Sequence, residues 1–99
     1  MDKERDKTVT AGYVYVLGAD VGGVRRTYVG WTTDLARRLA EHNAGTGARS
    51  TRGHRWTLLY AERHPTRNEA MSREWSLKRD RRFRKRVSRN DAVLNEEKA

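Results

Sequence analysis

The residue pattern predicts an α+β domain: a small three-stranded antiparallel sheet with about three helices packed on it, in the order β-β-α-β-α-α. Three observations carry that expectation. Short runs rich in Tyr, Val, Leu and Trp, such as Tyr13-Val14-Tyr15-Val16-Leu17 and Trp56-Thr57-Leu58-Leu59-Tyr60, read as strands. Stretches with apolar residues at helical spacing, opened by Thr or Asp, read as helices. No internal repeat and no linker-like segment divides the 99 residues, so the chain is read as one domain.

Taken in order, residues 1–11 alternate charges and are expected to be a solvated tail. Gly12 to Leu17 is the first strand. Gly22-Gly23 tolerates positive φ and suits a hairpin turn, after which Arg26 to Trp31 returns as the antiparallel partner. Thr33 is the expected N-cap, with Asp34 a first-turn acid, for a helix over Leu35 to Asn43 that ends at Gly45-Thr46-Gly47. Ala48 to Arg55 reads as an extended basic loop, and Trp56 to Ala61 as the third strand. Thr66-Arg67-Asn68-Glu69 has the capping-box pattern and opens a second helix running to about Arg79. Asp80 to Val87 makes a short third helix with Phe83 and Val87 inward. The folded domain is expected over 12–88, with 89–99 a frayed tail.

Composition narrows the function. Hydrophobic residues make up 35% of the chain, so the core is small and a shallow surface site is favoured over a deep cavity. Lys and Arg number 22 against 13 Asp and Glu, a formal charge of +9. Arginine dominates, and its planar fork suits phosphate, so nucleic acid is the leading partner. A membrane partner fits poorly: there is no long apolar run and no helix with a basic face opposite a clean apolar one. The absence of cysteine excludes disulfides, thiolate metal sites and a cysteine nucleophile. The charged N-terminus does not resemble a signal peptide, which makes cytoplasmic the expected location.

Helical spacing next singles out side chains. On the first helix, Leu35, Ala36, Leu39 and Ala40 form an apolar arc. Arg38 and His42 lie together at its border, while Arg37 and Glu41 point to solvent. The bland reading is a snorkelling arginine and a surface histidine. On the second helix, Ala70, Met71, Trp75 and Leu77 define the apolar side and Glu74 projects near its middle. A carboxylate there is costly unless paired or bound to a cation. An ordinary i,i+4 pair with Lys78 is the alternative. Tyr13 and Tyr15 share a face of the first strand, and Tyr28 lies on its partner, so a cluster of phenols is expected. Plain aromatic packing is the alternative.

Tyr13-Val14-Tyr15, Tyr28-Val29-Gly30, Arg38, His42 and Glu74, in that order, resemble the GIY-YIG nucleases over about Gly12 to Val87. The likeness is greatest to small stand-alone bacterial members, and residues 27–55 are also similar to the catalytic subunit of the eukaryotic junction-resolving endonuclease. Tyr13-Val14 stands where the family's opening Gly-Ile lies, Val29 replaces the middle isoleucine, and Trp31 stands where excision-repair members carry lysine. No appended DNA-binding domain is seen, which argues against sequence-specific cleavage.

The resemblance implies hydrolysis of DNA phosphodiesters with one divalent ion, Mg²⁺ or Mn²⁺, in repair or recombination. Tyr15 and Tyr28 would orient and deprotonate water, with Tyr28 or His42 the alternative base. Arg38 would stabilise the phosphate, and Glu74 would hold the ion. Residues 73–89 carry nine Lys/Arg against two acids. Lys78, Arg79, Arg82 and Lys85 from that run, Arg37, and the loop residues Arg49, Arg52, His54 and Arg55 are the expected nucleic-acid contacts. Gripping phosphates without reading bases suits branched, flapped or nicked DNA, with RNA a second ligand class and a protein partner compatible with so small a chain. The competing reading is a non-catalytic DNA- or RNA-binding module on the same scaffold.

Overall fold

The computed structural model describes residues 11–89, so the expected tails lie outside the described residues except for Ala11 and Arg89. Strand β1 spans Gly12–Val21, β2 Val24–Thr32 and β3 Thr57–His64. Helix α1 spans Leu35–Ala44, α2 Arg67–Lys78 and α3 Arg81–Arg89. The chain is therefore an α+β fold in the order β-β-α-β-α-α, with a single antiparallel sheet ordered β2-β1-β3.

β1 is central, and its side chains are divided between two cores by the period-two alternation of a strand. Val14 and Val16 join Val29, Leu59, Ala70, Leu77 and Val87 on the face covered by α2 and α3. Tyr15, Leu17 and Ala19 join Trp56 on the opposite face, where Leu35 and Leu39 of α1 pack against them. A continuous apolar run is what a strand covered on both faces requires. Both strands of the hairpin run further than the apolar residues do. The pairs Ala19↔Arg26 and Asp20↔Arg25 extend the ladder into polar sequence, aided by an Arg25–Asp20 ion pair at 2.9 Å. Gly22 and Gly23, with φ of 60° and 81°, close the two-residue turn, for which a side chain would be strained. β3 is likewise longer than expected, reaching His64 opposite Gly12.

The helix ends follow from local hydrogen bonds. Asp34, not Thr33, caps α1: its carboxylate accepts from the Arg37 N–H at 3.1 Å. Its own N–H goes to Thr32 Oγ1, which draws the cap one residue later than expected. At the other end, the Gly45 N–H reaches the His42 carbonyl and the Thr46 N–H the Glu41 carbonyl, a Schellman closure. Thr66 caps α2 by accepting from the Glu69 N–H, and the Asp80 carboxylate accepts from the Phe83 N–H at the start of α3. Phe83 is partly buried and Val87 buried, facing inward as expected.

Three expectations need correction. Ala36 and Ala40 are exposed; α1 packs through Leu35, Leu39 and His42, spaced i, i+4, i+7, and His42 is the buried residue of the helix. Met71 and Trp75 are also exposed, because α2 meets the sheet along Ala70 and Leu77, with Glu74 on that same line. Finally, the basic loop is not wholly extended, since Arg49–Thr51 forms a 3₁₀ turn. Among the described residues, no helix is long and apolar enough to cross a membrane.

Candidate active site

The two tyrosines are brought together by register. Tyr15 pairs with Gly30 and Leu17 with Tyr28, so Tyr15 and Tyr28 are diagonal neighbours on the α1 face, their ring centroids 6.4 Å apart. Tyr15 leans over Gly30: a Cβ at that position would stand 2.5 Å from the phenol oxygen. The glycine is there because the phenol fills the space of any side chain.

α1 then delivers His42 into the same cluster. Its ring lies 4.9 Å from Tyr28 and 5.8 Å from Tyr15, and it is fully buried. Burial of an imidazole is tolerable only if both nitrogens are hydrogen-bonded. Nε2 lies 2.9 Å from the Tyr15 hydroxyl and Nδ1 2.8 Å from Thr51 Oγ1. Thr51, itself fully buried, donates its hydroxyl to the Ala48 carbonyl at 2.8 Å. The 3₁₀ turn is pinned in turn by the Trp56 indole N–H, which donates to the Thr51 carbonyl at 2.8 Å. Asn43 ties the end of α1 to the same tryptophan, accepting from its backbone N–H and donating to its carbonyl. Gly47 passes directly over the imidazole, where a Cβ would stand 2.8 Å from Nδ1.

Electrostatics at Tyr15 join the remaining residues to this cluster. Burial pushes its phenol up to about 12, the Arg38 guanidinium pulls it back, and the charges of Tyr28 and Glu74 add to the rise. Arg38 and Glu74 therefore both act on the Tyr15 oxygen. Burial, then the positive charge of Arg38, lowers His42 from its usual range and so favours the neutral imidazole. Arg38 is partly buried and forms an ion pair with Glu41 at 2.8 Å, so Glu41 does not simply face solvent as expected. The Glu74 side chain is 20% exposed and pairs with Lys78 at 3.3 Å. The expected i,i+4 pair is thus present, on a carboxylate that nevertheless lies on the buried line of α2.

The expected nucleic-acid contacts are dispersed. Arg82 and Lys85 line an open groove of about 340 Å³ with Arg86 and Arg89. His54 and Arg55 line another of about 390 Å³ with Asn43, Ala44, Gly45 and Gly53. Arg49 and Arg52 are exposed on the 3₁₀ turn and the residue after it. Arg37 is exposed beside Glu41, and Arg79 stacks over the Trp75 ring at 4.6 Å.

Thr51, Asn43, Gly30 and Gly47 shape the site and were not read as functional from sequence. Only the two glycines had a local signal, each being a small residue in or beside the strand–helix motif. Thr51 and Asn43 act through contacts 9 and 13 residues away, which no local pattern displays.

Comparison with known proteins places this arrangement. The family model described as the GIY-YIG catalytic domain matches residues 11–87. A UPF0213 protein of Halobacterium salinarum is 46% identical over 67 residues, covering 67% of this chain and 83% of the relative. A UPF0213 protein of Streptococcus pneumoniae is 46% identical over 74 residues, covering 74% of this chain and 72% of the relative. One from Streptococcus sanguinis is 48% identical over 63 residues, covering 63% of this chain and 69% of the relative. No solved structure matches. With the match running from before β1 into α3, and the two tyrosine strands meeting over α1 within it, this chain belongs to the GIY-YIG family, a family of nucleases.

Proposed function

We propose that the protein is a divalent-metal-dependent endonuclease that hydrolyses DNA phosphodiester bonds and selects its substrate by shape, acting in repair or recombination. One observation carries the reading: His42 is hydrogen-bonded to Tyr15, and Arg38, Tyr28 and Glu74 all act electrostatically on the same phenol. Four residues from three elements act on one phenol.

Tyr15 and Tyr28 orient and deprotonate the attacking water, with His42 as the ultimate proton acceptor or an alternative base. Arg38 stabilises charge that builds on the phosphate oxygens. Among the described residues, no cluster of three or more His, Asp or Glu gathers around a common point. A single buried-face carboxylate, Glu74, suits a hard ion that keeps most of its waters, so Glu74 would hold Mg²⁺ or Mn²⁺. When bound, the ion supplies charge neutralisation at the leaving oxygen. The grooves lined by Arg82 and Lys85 and by His54 and Arg55, together with Arg37, Arg49, Arg52, Lys78 and Arg79, grip phosphates without reading bases, which favours branched, flapped or nicked DNA.

The test is nicking of branched and duplex DNA in Mg²⁺ or Mn²⁺. Arg38→Ala and Glu74→Gln are each expected to lower the rate by about 100-fold or more. Cleavage that survives both substitutions would remove these residues from the mechanism. The ion pairs Arg38–Glu41 and Glu74–Lys78 favour a second reading, a non-catalytic DNA- or RNA-binding module. Steeply salt-dependent binding, unchanged in Glu74→Gln and without cleavage of any substrate, is its signature.

A further inference from the structure

The buried hydrogen-bond chain Tyr15–His42–Thr51–Ala48 has a direction that its atoms define. A threonine hydroxyl carries one proton. Thr51 Oγ1 gives that proton to the Ala48 carbonyl at 2.8 Å, so at 2.8 Å from His42 Nδ1 the same oxygen can only accept. Nδ1 therefore carries the imidazole proton. In the neutral ring, Nε2 is then a bare lone pair, and at 2.9 Å the Tyr15 hydroxyl must donate to it. The Tyr15 oxygen keeps its own lone pairs as acceptors, and the Arg38 guanidinium faces it.

We propose that Thr51 is a positioning residue of the nuclease reaction: with the Ala48 carbonyl it fixes the tautomer of His42, so that Nε2 is held as the acceptor for the Tyr15 proton. The proposal rests on the nuclease reading above. It makes Tyr15 and His42 one base rather than two alternatives. A water O–H bond breaks as its proton passes to the Tyr15 oxygen, while the proton already on Tyr15 passes to His42 Nε2. The hydroxide oxygen forms a bond to phosphorus, and the leaving oxygen departs with the electron pair of the bond it breaks, taking a proton from solvent. His42 returns its extra proton to solvent through Tyr15.

Independent packing supports a built device rather than a chance contact. His42 and Thr51 are both fully buried, and the Trp56 indole and Asn43 amide lock the segments that carry them. Gly47 lies beside the ring, where any side chain would collide with Nδ1 at 2.8 Å. A buried hydroxyl retained only for packing has no need to face an imidazole nitrogen while donating elsewhere.

Two measurements test this. In ¹⁵N-labelled native protein at neutral pH, a long-range ¹H–¹⁵N correlation spectrum reads which His42 nitrogen is protonated, without any activity assay. Nδ1 is expected; protonation at Nε2 overturns the proposal. In steady-state cleavage, Thr51→Val is expected to lower kcat by about 10- to 100-fold with KM little changed, the scale seen when a partner that orients a working histidine is removed. Thr51→Ser keeps the hydroxyl and is expected to recover the native kcat. Native kcat in Thr51→Val, or a Thr51→Ser as slow as Thr51→Val, overturns it. Should Thr51→Val fail to fold, Thr51→Ala is the substitute, and the native spectrum stands by itself. A protein that cuts nothing yet shows Nδ1 protonated would defeat the nuclease reading while upholding the tautomer assignment.

Discussion

The two faces of the sheet carry the same kinds of residues in different states of completion. On the α1 face, Tyr15 meets His42, and the charges of Arg38 and of Glu74 from α2 also reach its phenol. On the other face, Tyr60, Glu62 and His64 line up along β3, and Arg73 reaches them from α2. Glu62 accepts from Tyr60, from His64 at 2.7 Å and from Arg73 at 2.9 Å. Burial alone would raise its carboxyl, but those hydrogen bonds and the Arg73 charge outweigh it and hold Glu62 below its usual range. There the carboxylate is at the centre and three donors converge on it. On the α1 face a phenol is at the centre, hydrogen-bonded to His42, while Arg38 pairs with Glu41 and, on α2, Glu74 pairs with the exposed Lys78. The first arrangement fastens α2 to β3; the second buries a phenol and an imidazole against each other and leaves Arg38 and Glu74 partly exposed.

That contrast can be broken most directly by treating the two glutamates alike. Glu74→Gln is expected to cut nicking by about 100-fold or more while leaving stability close to native. Glu62→Gln is expected to keep the native rate per folded molecule. If both substitutions slow cleavage equally, the two clusters are not functionally distinct. Stability should respond in the opposite sense. Glu62→Ala strands Arg73, Tyr60 and His64 together and is expected to cost about 1–3 kcal/mol in urea unfolding. A loss of the same size for Glu74→Ala would remove the distinction.

pH separates the faces without mutation. His42 has a lowered folded pKa, so the unfolded chain binds its proton first as pH falls. Its contribution is present above its ordinary value of 6.5 and is lost as pH drops below it toward the folded value. Glu62 is also lowered, so its contribution is lost only below its ordinary value of 4.5. Urea midpoints measured from pH 7.5 down to about 2.5 should therefore fall in two stages, and His42→Gln should remove the upper one. Tyr15 acts at the other extreme: raised to about 12, it loses stability as pH climbs above 10. The smallest expected effect is Tyr60→Phe, which removes one of three donors to Glu62 and should cost about 1 kcal/mol by the same measurement, with cleavage unchanged.

Much of the site was legible because its parts lie on regular elements. Strand alternation put Tyr15 and Tyr28 on one face, and helical spacing put Arg38 and His42 near the packing surface of α1. The same arithmetic misjudged depth. Ala36 and Ala40 read as core and are exposed, whereas His42 read as border and is buried. A helical wheel ranks residues by polarity, and it has no means of showing that a histidine will find Tyr15 on one side and Thr51 on the other. On α2, Met71 and Trp75 misled for the complementary reason: apolar character is not burial, and the contact line ran through Ala70, Glu74 and Leu77.

By itself the sequence determined the α+β element order, the hairpin at Gly22-Gly23, the helix-opening cap at Thr66, the basic surface and the ordered Tyr, Tyr, Arg, His and Glu set. These depend on interactions within a few residues, or on composition, and both are written locally. Only the tertiary structure decided that β1 serves two cores, that three donors converge on Glu62 while Glu74 pairs with Lys78, and that Thr51 faces His42. Each of those depends on hydrogen bonds or packing between segments distant in the chain, where the partner, rather than the residue, determines whether a polar group is a fastener or a reagent.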